Sequence, residues 1–127
     1  MDTSKLKYLE SHEWILVNGK TGTVGISDHA QKEISDIVFI ELPKAGRIVK
    51  QKESCMVIES VKAAFDIYAP VSGKITEVNS GLTAKPQTVN QSPFEKGWLF
   101  KIEMTDLKEL DKLMDAVTYD KEKSKGH

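Results

Sequence analysis

The sequence predicts a mainly β fold: a flattened β-sandwich with a short helix in its N-terminal half and a second helix near its C-terminus. Three observations carry that expectation. Short β-branched runs recur along the chain, separated by turn residues. Near residue 105 the apolar period changes from two to about 3.6, the spacing of a helix. Gly46-Arg47-Ile48-Val49 is echoed by Gly73-Lys74-Ile75-Thr76, a short match that fits two related halves. A length of 127 residues suits one domain with a sizeable core. Residues 1–120 are expected to form it, with a flexible charged tail at 121–127.

The elements follow in order. Trp14-Ile15-Leu16-Val17 reads as a strand stopping at Asn18-Gly19, a dipeptide suited to a type I′ hairpin, with Thr21–Ile26 returning. Asp28 and Gln31 make a capping-box pattern for a short helix whose apolar stripe is Ala30, Ile34 and Ile37. Ile37–Leu42 is a β-branched run closed by Pro43. Further strands are expected at Arg47–Val49, Cys55–Val61, Phe65–Tyr68, Lys74–Val78 and Trp98–Ile102. Asn79–Lys96, polar with two prolines and no period, reads as a long surface loop. Asp106 and Glu109 cap an expected helix carrying Leu107, Leu110, Leu113 and Met114 on one side. Trp14, Phe39, Phe65, Trp98 and Phe100 are expected in the core.

Composition narrows the function classes. Eighteen basic residues balance 19 acidic ones, for a formal net charge of −1, which argues against a nucleic-acid-binding domain. No apolar run approaches the ~20 residues that span a bilayer, and the start lacks a signal-peptide core. The single cysteine, Cys55, rules out an intrachain disulfide and sits in an apolar run, as a packed thiol would. Three scattered histidines and that cysteine make a metal site unexpected, and His12 and His29 read as structural or surface residues.

The segment Cys55–Pro70 carries most of the information. Two strand-like runs flank Lys62, with only Ala63 and Ala64 between it and the second run. Strands this close must turn sharply, so Lys62 stands at or near a hairpin tip. The turn lacks Asn-Gly or Asp-Gly, a local conflict of the kind a functional constraint can produce. On spacing alone, a solvated turn lysine and a modification site both fit.

Glu59-Ser60-Val61-Lys62-Ala63 resembles the lipoyl-attachment motif of the glycine cleavage H-protein family. The resemblance extends over roughly residues 8–105 in family order. It includes Ser11-His12-Glu13-Trp14, Thr23 through Gln31, Val38-Phe39-Ile40-Glu41-Leu42-Pro43, Tyr68 through Gly73, Val89 through Phe94, and Gly97-Trp98-Leu99. It implies a mainly β, lipoyl/biotinyl-type barrel-sandwich hybrid with an added C-terminal helix.

The resemblance further implies lipoate joined by an amide to Lys62, and a carrier rather than an enzyme, with no catalytic residue of its own. Such a carrier shuttles the aminomethyl group of glycine from glycine decarboxylase (the P protein) to the aminomethyltransferase (the T protein). Dihydrolipoyl dehydrogenase (the L protein) reoxidises the dithiol, and a lipoate ligase or lipoyl/octanoyl transferase loads the lysine. Tethering makes each transfer effectively intramolecular within a docked complex. Ser11, Glu13 and Asp66 match positions associated with sheltering the arm, and Glu59 is a candidate for recognition by the attaching enzyme. The compartment implied is the cytoplasm for a bacterial chain, or the mitochondrial matrix for a processed eukaryotic one.

Rival readings differ in checkable ways. A carrier relaying lipoyl groups to other enzymes has overlapping surface requirements. Biotin carriers typically have methionine on both sides of the lysine, where this chain has Val61 and Ala63. Lipoyl domains of 2-oxoacid dehydrogenase acyltransferases are usually joined to a large catalytic domain, which 127 residues cannot hold. A hydrolase using Cys55 and His29 would need the thiol out of its apolar strand.

Overall fold

Two antiparallel sheets face one another across the core in a computed structural model that describes residues 2–123. Ten strands contribute: β1 (Lys7–Tyr8), β2 (Glu13–Asn18), β3 (Thr21–Ile26), β4 (Ile37–Glu41), β5 (Ile48–Val49), β6 (Ser54–Ser60), β7 (Ala64–Tyr68), β8 (Gly73–Val78), β9 (Phe100–Met104) and β10 (Met114–Asp115). The larger sheet has the order β10-β1-β2-β3-β9-β8-β5, and the smaller has β4-β6-β7. Helices α1 (Asp28–Ile34), α2 (Thr88–Gln91) and α3 (Ala116–Glu122) and three 3-10 turns make up the remaining elements among the described residues. Among the described residues no helix is long and apolar enough to cross a membrane.

The two echoed segments, Gly46–Val49 and Gly73–Thr76, lie side by side. β5 and β8 pair antiparallel, Ile48 opposite Lys74 and Val49 opposite Gly73. Ile15, Val24, Ile40, Ile58, Ile67, Ile75, Phe100 and Ile102 fill the space between the sheets. A second cluster of Leu6, Tyr8, Trp14 and Tyr119 lies outside it. Consecutive residues Trp14 and Ile15 point to opposite faces of β2, yet both are buried, because α3 covers the face away from the main core. Trp14 pairs with Gly25 across the β2–β3 ladder, and a Cβ at Gly25 would run into the indole ring. That close approach requires glycine in the Thr23–Ile26 segment.

Several local expectations are corrected. The β2–β3 loop is Gly19-Lys20, since Asn18 pairs with Thr21. Only Gly19 has positive φ, +64°, the pattern of a Gly-first II′ turn rather than I′. The α1 N-cap is Ser27, whose Oγ accepts from Ala30 N at 3.1 Å, with Asp28 as the first helical residue. Ile37 belongs to β4. A bulge between Ile37 and Phe39 interrupts the alternation there, so Val38 and Phe39 both face outward and Phe39 is 47% exposed rather than core. Phe65 and Trp98 are half-buried at the edges of the two clusters.

The Asn79–Lys96 segment is an ordered connection. It contains a 3-10 turn, Ser80–Thr83, and α2, which bury Leu82 and Val89. Too few apolar residues lie in it to show a period. The helix expected after Asp106 is a 3-10 turn, Leu107–Lys112, with Asp106 capping Lys108 N. The C-terminal α-helix is α3, further along. Lys121 and Glu122, assigned to a flexible tail, are its last residues, while 124–127 lie outside the described residues.

Candidate functional site

β6 and β7 form a hairpin whose last pair is Glu59 and Ala64, leaving Lys62 exposed at its tip. Ser60 makes the turn that no Asn-Gly supplies. Its Oγ accepts from Lys62 N at 3.1 Å and Ala63 N at 3.3 Å, while its backbone N–H donates to Ala63 O at 2.9 Å. A side-chain hydroxyl thus substitutes for the special backbone torsions of a glycine turn.

The tip is anchored from the side. Val61 N donates to Asp36 O at 3.0 Å, and Lys62 Nζ donates to the backbone carbonyl of Glu33 at 2.6 Å. Glu33 lies in the last turn of α1, where carbonyls lack helical partners and carry partial negative charge. The lysine therefore satisfies an acceptor while its side chain stays at the surface. Asn90 holds the segment that receives it: its amide donates to Gln31 Oε1 and Ser35 O, and its oxygen accepts from Ile37 N.

Beside the tip, between α1 and β7, lies a cleft of about 110 Å³. Ser11, His12, Glu33, Phe65 and Asp66 are among its lining residues. The structure thus brings both Ser11 and Asp66 to the lining of the cleft, with Asp66 Oδ1 accepting from Ser54 Oγ at 3.1 Å. Glu13 stands behind them and does not line the cleft. Its carboxylate accepts from Ser11 Oγ at 2.5 Å and Tyr68 N at 2.8 Å. Glu13 is only 1% exposed, so it is no solvated strand charge. Burial pushes its carboxyl up to about 7, against the hydrogen bonds that pull it down. Glu59 is exposed on β6, three residues before Lys62.

Cys55 is a buried thiol pointing at Ile67 O, 3.5 Å away, and burial raises its pKa to about 12. At neutral pH it is a packed thiol rather than a nucleophile.

The sequence reading missed one constellation. His12, His29 and Glu33, far apart or unremarked in the chain, place one ligand-type atom each within 4.8 Å of the others. His29 and Glu33 share a helix face at i,i+4, a spacing visible in the sequence; His12 joins them only through the fold.

Comparisons with known proteins identify the family. The family model described as glycine cleavage H-protein matches residues 6–126. A glycine cleavage system H protein from Endomicrobium trichonymphae is 52% identical over 114 residues, covering 90% of this chain and 92% of that one. The mitochondrial glycine cleavage system H protein 2 of Arabidopsis thaliana is 51% identical over 116 residues, 91% of this chain and 74% of that one. The crystal structure of a glycine cleavage system H protein from Mycobacterium marinum superposes with a TM-score of 0.84 at 35% identity, covering 93% and 95% of the two chains. With a family model over residues 6–126 and relatives about half identical over most of their length, the chain belongs to the glycine cleavage H-protein family.

Proposed function

We propose that Lys62 is the point at which this chain carries lipoate through an amide bond, and that the loaded chain conveys the aminomethyl group of glycine between the enzymes of glycine cleavage. The observation that carries this reading is an exposed primary amine at the tip of a pinned β hairpin, within the segment that resembles the family's attachment motif. The residues fit the group. The amine is reachable, no carboxylate pairs with it among the described residues, and a cleft opens beside it. When attached, lipoate supplies a dithiolane that accepts and releases the one-carbon unit and its electrons.

The chain's own residues position and shelter. An acylated Lys62 nitrogen keeps one N–H, so it can still donate to Glu33 O. Ser11 and Asp66 offer oxygen acceptors along the cleft wall, suited to a cationic amine. Glu13 supports Ser11 from behind and adds a buried carboxyl poised near neutrality. Exposed Glu59 is the side chain an attaching ligase or transferase would read next to the lysine.

The partners that follow are the P, T and L proteins together with that attaching enzyme. Relatives include bacterial chains and a mitochondrial one, so the compartment is the cytoplasm or the matrix according to source.

Exchange of the glycine carboxyl with bicarbonate by the P protein tests the reading. The lipoate-loaded parent should support it and Lys62→Arg should not, because arginine keeps the charge but cannot form the amide. Equal exchange with the arginine variant would reject the assignment.

A further inference from the structure

We propose that His12, His29 and Glu33 form a binding site for one divalent transition-metal ion of the zinc class. The proposal goes beyond the carrier reading and does not depend on acylation of Lys62.

His29 Nε2 lies 3.4 Å from Glu33 Oε1, and His12 Nε2 lies 3.7 Å from the same oxygen. Ligands about 2.1 Å from a tetrahedral ion stand about 3.4 Å from one another. Glu33 is therefore already at ligand spacing from one ring and close to it from the other. The remaining approach is between the two imidazoles, whose centroids are 4.7 Å apart at 46°. His29 and Glu33 are both partly exposed on α1, so small side-chain rotations can close the set.

The donor chemistry selects the ion. Two imidazole nitrogens and one carboxylate oxygen form a donor set that zinc takes with a further position open. Calcium and magnesium favour oxygen ligands and are poorly matched to it.

The surroundings hold His12 as metal-ligating histidines are held. Its Nδ1 is 2.7 Å from the Tyr119 hydroxyl, which is 2.6 Å from Ser27 Oγ. The tautomer whose Nδ1–H donates to the Tyr119 hydroxyl turns the lone pair of Nε2 toward the carboxylate and the second ring, the form a metal ion would select. His12 also has φ +83°, a conformation that costs energy for any residue but glycine. The ring is thus aimed by a strained backbone, a phenol from α3 and burial of the residue. Glu33 ties the cluster to the hairpin, because its carbonyl accepts Lys62 Nζ while its carboxylate lies between the histidines.

The test uses the full, unlipoylated chain stripped of metal, titrated with Zn²⁺ against a chromophoric chelator near neutral pH. The expected result is one equivalent bound with micromolar or tighter affinity. Glu33→Gln and His29→Gln should each weaken it at least tenfold. Tyr119→Phe, which removes only the hydroxyl that orients His12, should weaken it about tenfold. Circular dichroism checks that each variant is folded. Co²⁺ as a spectroscopic probe should give intense tetrahedral visible bands in the parent that His29→Gln loses. No binding at millimolar Zn²⁺ would overturn the proposal and leave the trio a plain His–Glu ion-pair cluster. Unchanged affinity in both ligand variants would also overturn it, as would loss confined to His127→Gln, which would move binding to the C-terminal residues.

Discussion

At Glu13 two effects oppose each other and burial wins. Hydrogen bonds from Ser11 and Tyr68 favour the carboxylate, yet desolvation sets the pKa at about 7 against an ordinary 4.5. The native state therefore binds a proton more readily than the unfolded chain between those values. Glu13's contribution to stability is fully present below about pH 4.5 and is lost as pH rises through about 7, by on the order of 3 kcal/mol. Urea unfolding of the parent and Glu13→Gln between pH 5 and 8 should show a shallower decline in the variant; parallel declines would contradict the burial argument. In the loaded carrier, Glu13→Ala should leave lipoylation intact and shorten the lifetime of the bound aminomethyl group. An unchanged lifetime would remove Glu13 from that role. Lys62 was legible because small neighbours between two strand-like runs mark a tip. The burial of Glu13 was not, because Ser11-His12-Glu13 reads as a polar strand entry and the Tyr68 backbone that meets its carboxylate lies 55 positions away in the chain.

The α1–β4 connection shows strain at the scale of an element. Ser35 closes α1 with φ 75° and ψ −160°, a region occupied almost only by glycine. Ser35→Gly should raise stability by about 1 kcal/mol by relieving it, read as an increased denaturation midpoint. The bulge in β4 gives a second contrast. Phe39→Ala should cost less than about 1 kcal/mol because its ring faces solvent, whereas Trp14→Ala should cost about 3–5 kcal/mol. Strand positions were largely readable from β-branched runs. The bulge was not, since an extra residue in one strand depends on its partner β6, and alternation alone then misplaces Phe39. The cap of α1 shifted by one residue because Ser27 and Asp28 are both good caps and the tertiary fold chooses between them.

Over the whole molecule, α3 closes the structure against the N-terminal strands. Tyr119 stacks on Tyr8 with ring centroids 4.0 Å apart and bridges His12 to Ser27 through its hydroxyl. Tyr119→Phe keeps the stack but leaves buried polar atoms short of a partner. Stability should fall by about 1–3 kcal/mol in thermal or urea unfolding. The mainly β class could be read from the recurring short β-branched runs. The placement of α3 could not, because Tyr119 meets residues about a hundred positions earlier and its short helix has no distinctive pattern.

A carrier role for this chain requires one nitrogen, Lys62 Nζ, to be acylated. Intact-mass measurement of the chain, incubated with lipoate, ATP and a lipoate ligase, tests it most directly. The parent should gain a single lipoyl group located on Lys62 by peptide mapping, and Lys62→Arg should gain none. An unmodified parent, or a group found on the arginine variant, would contradict it.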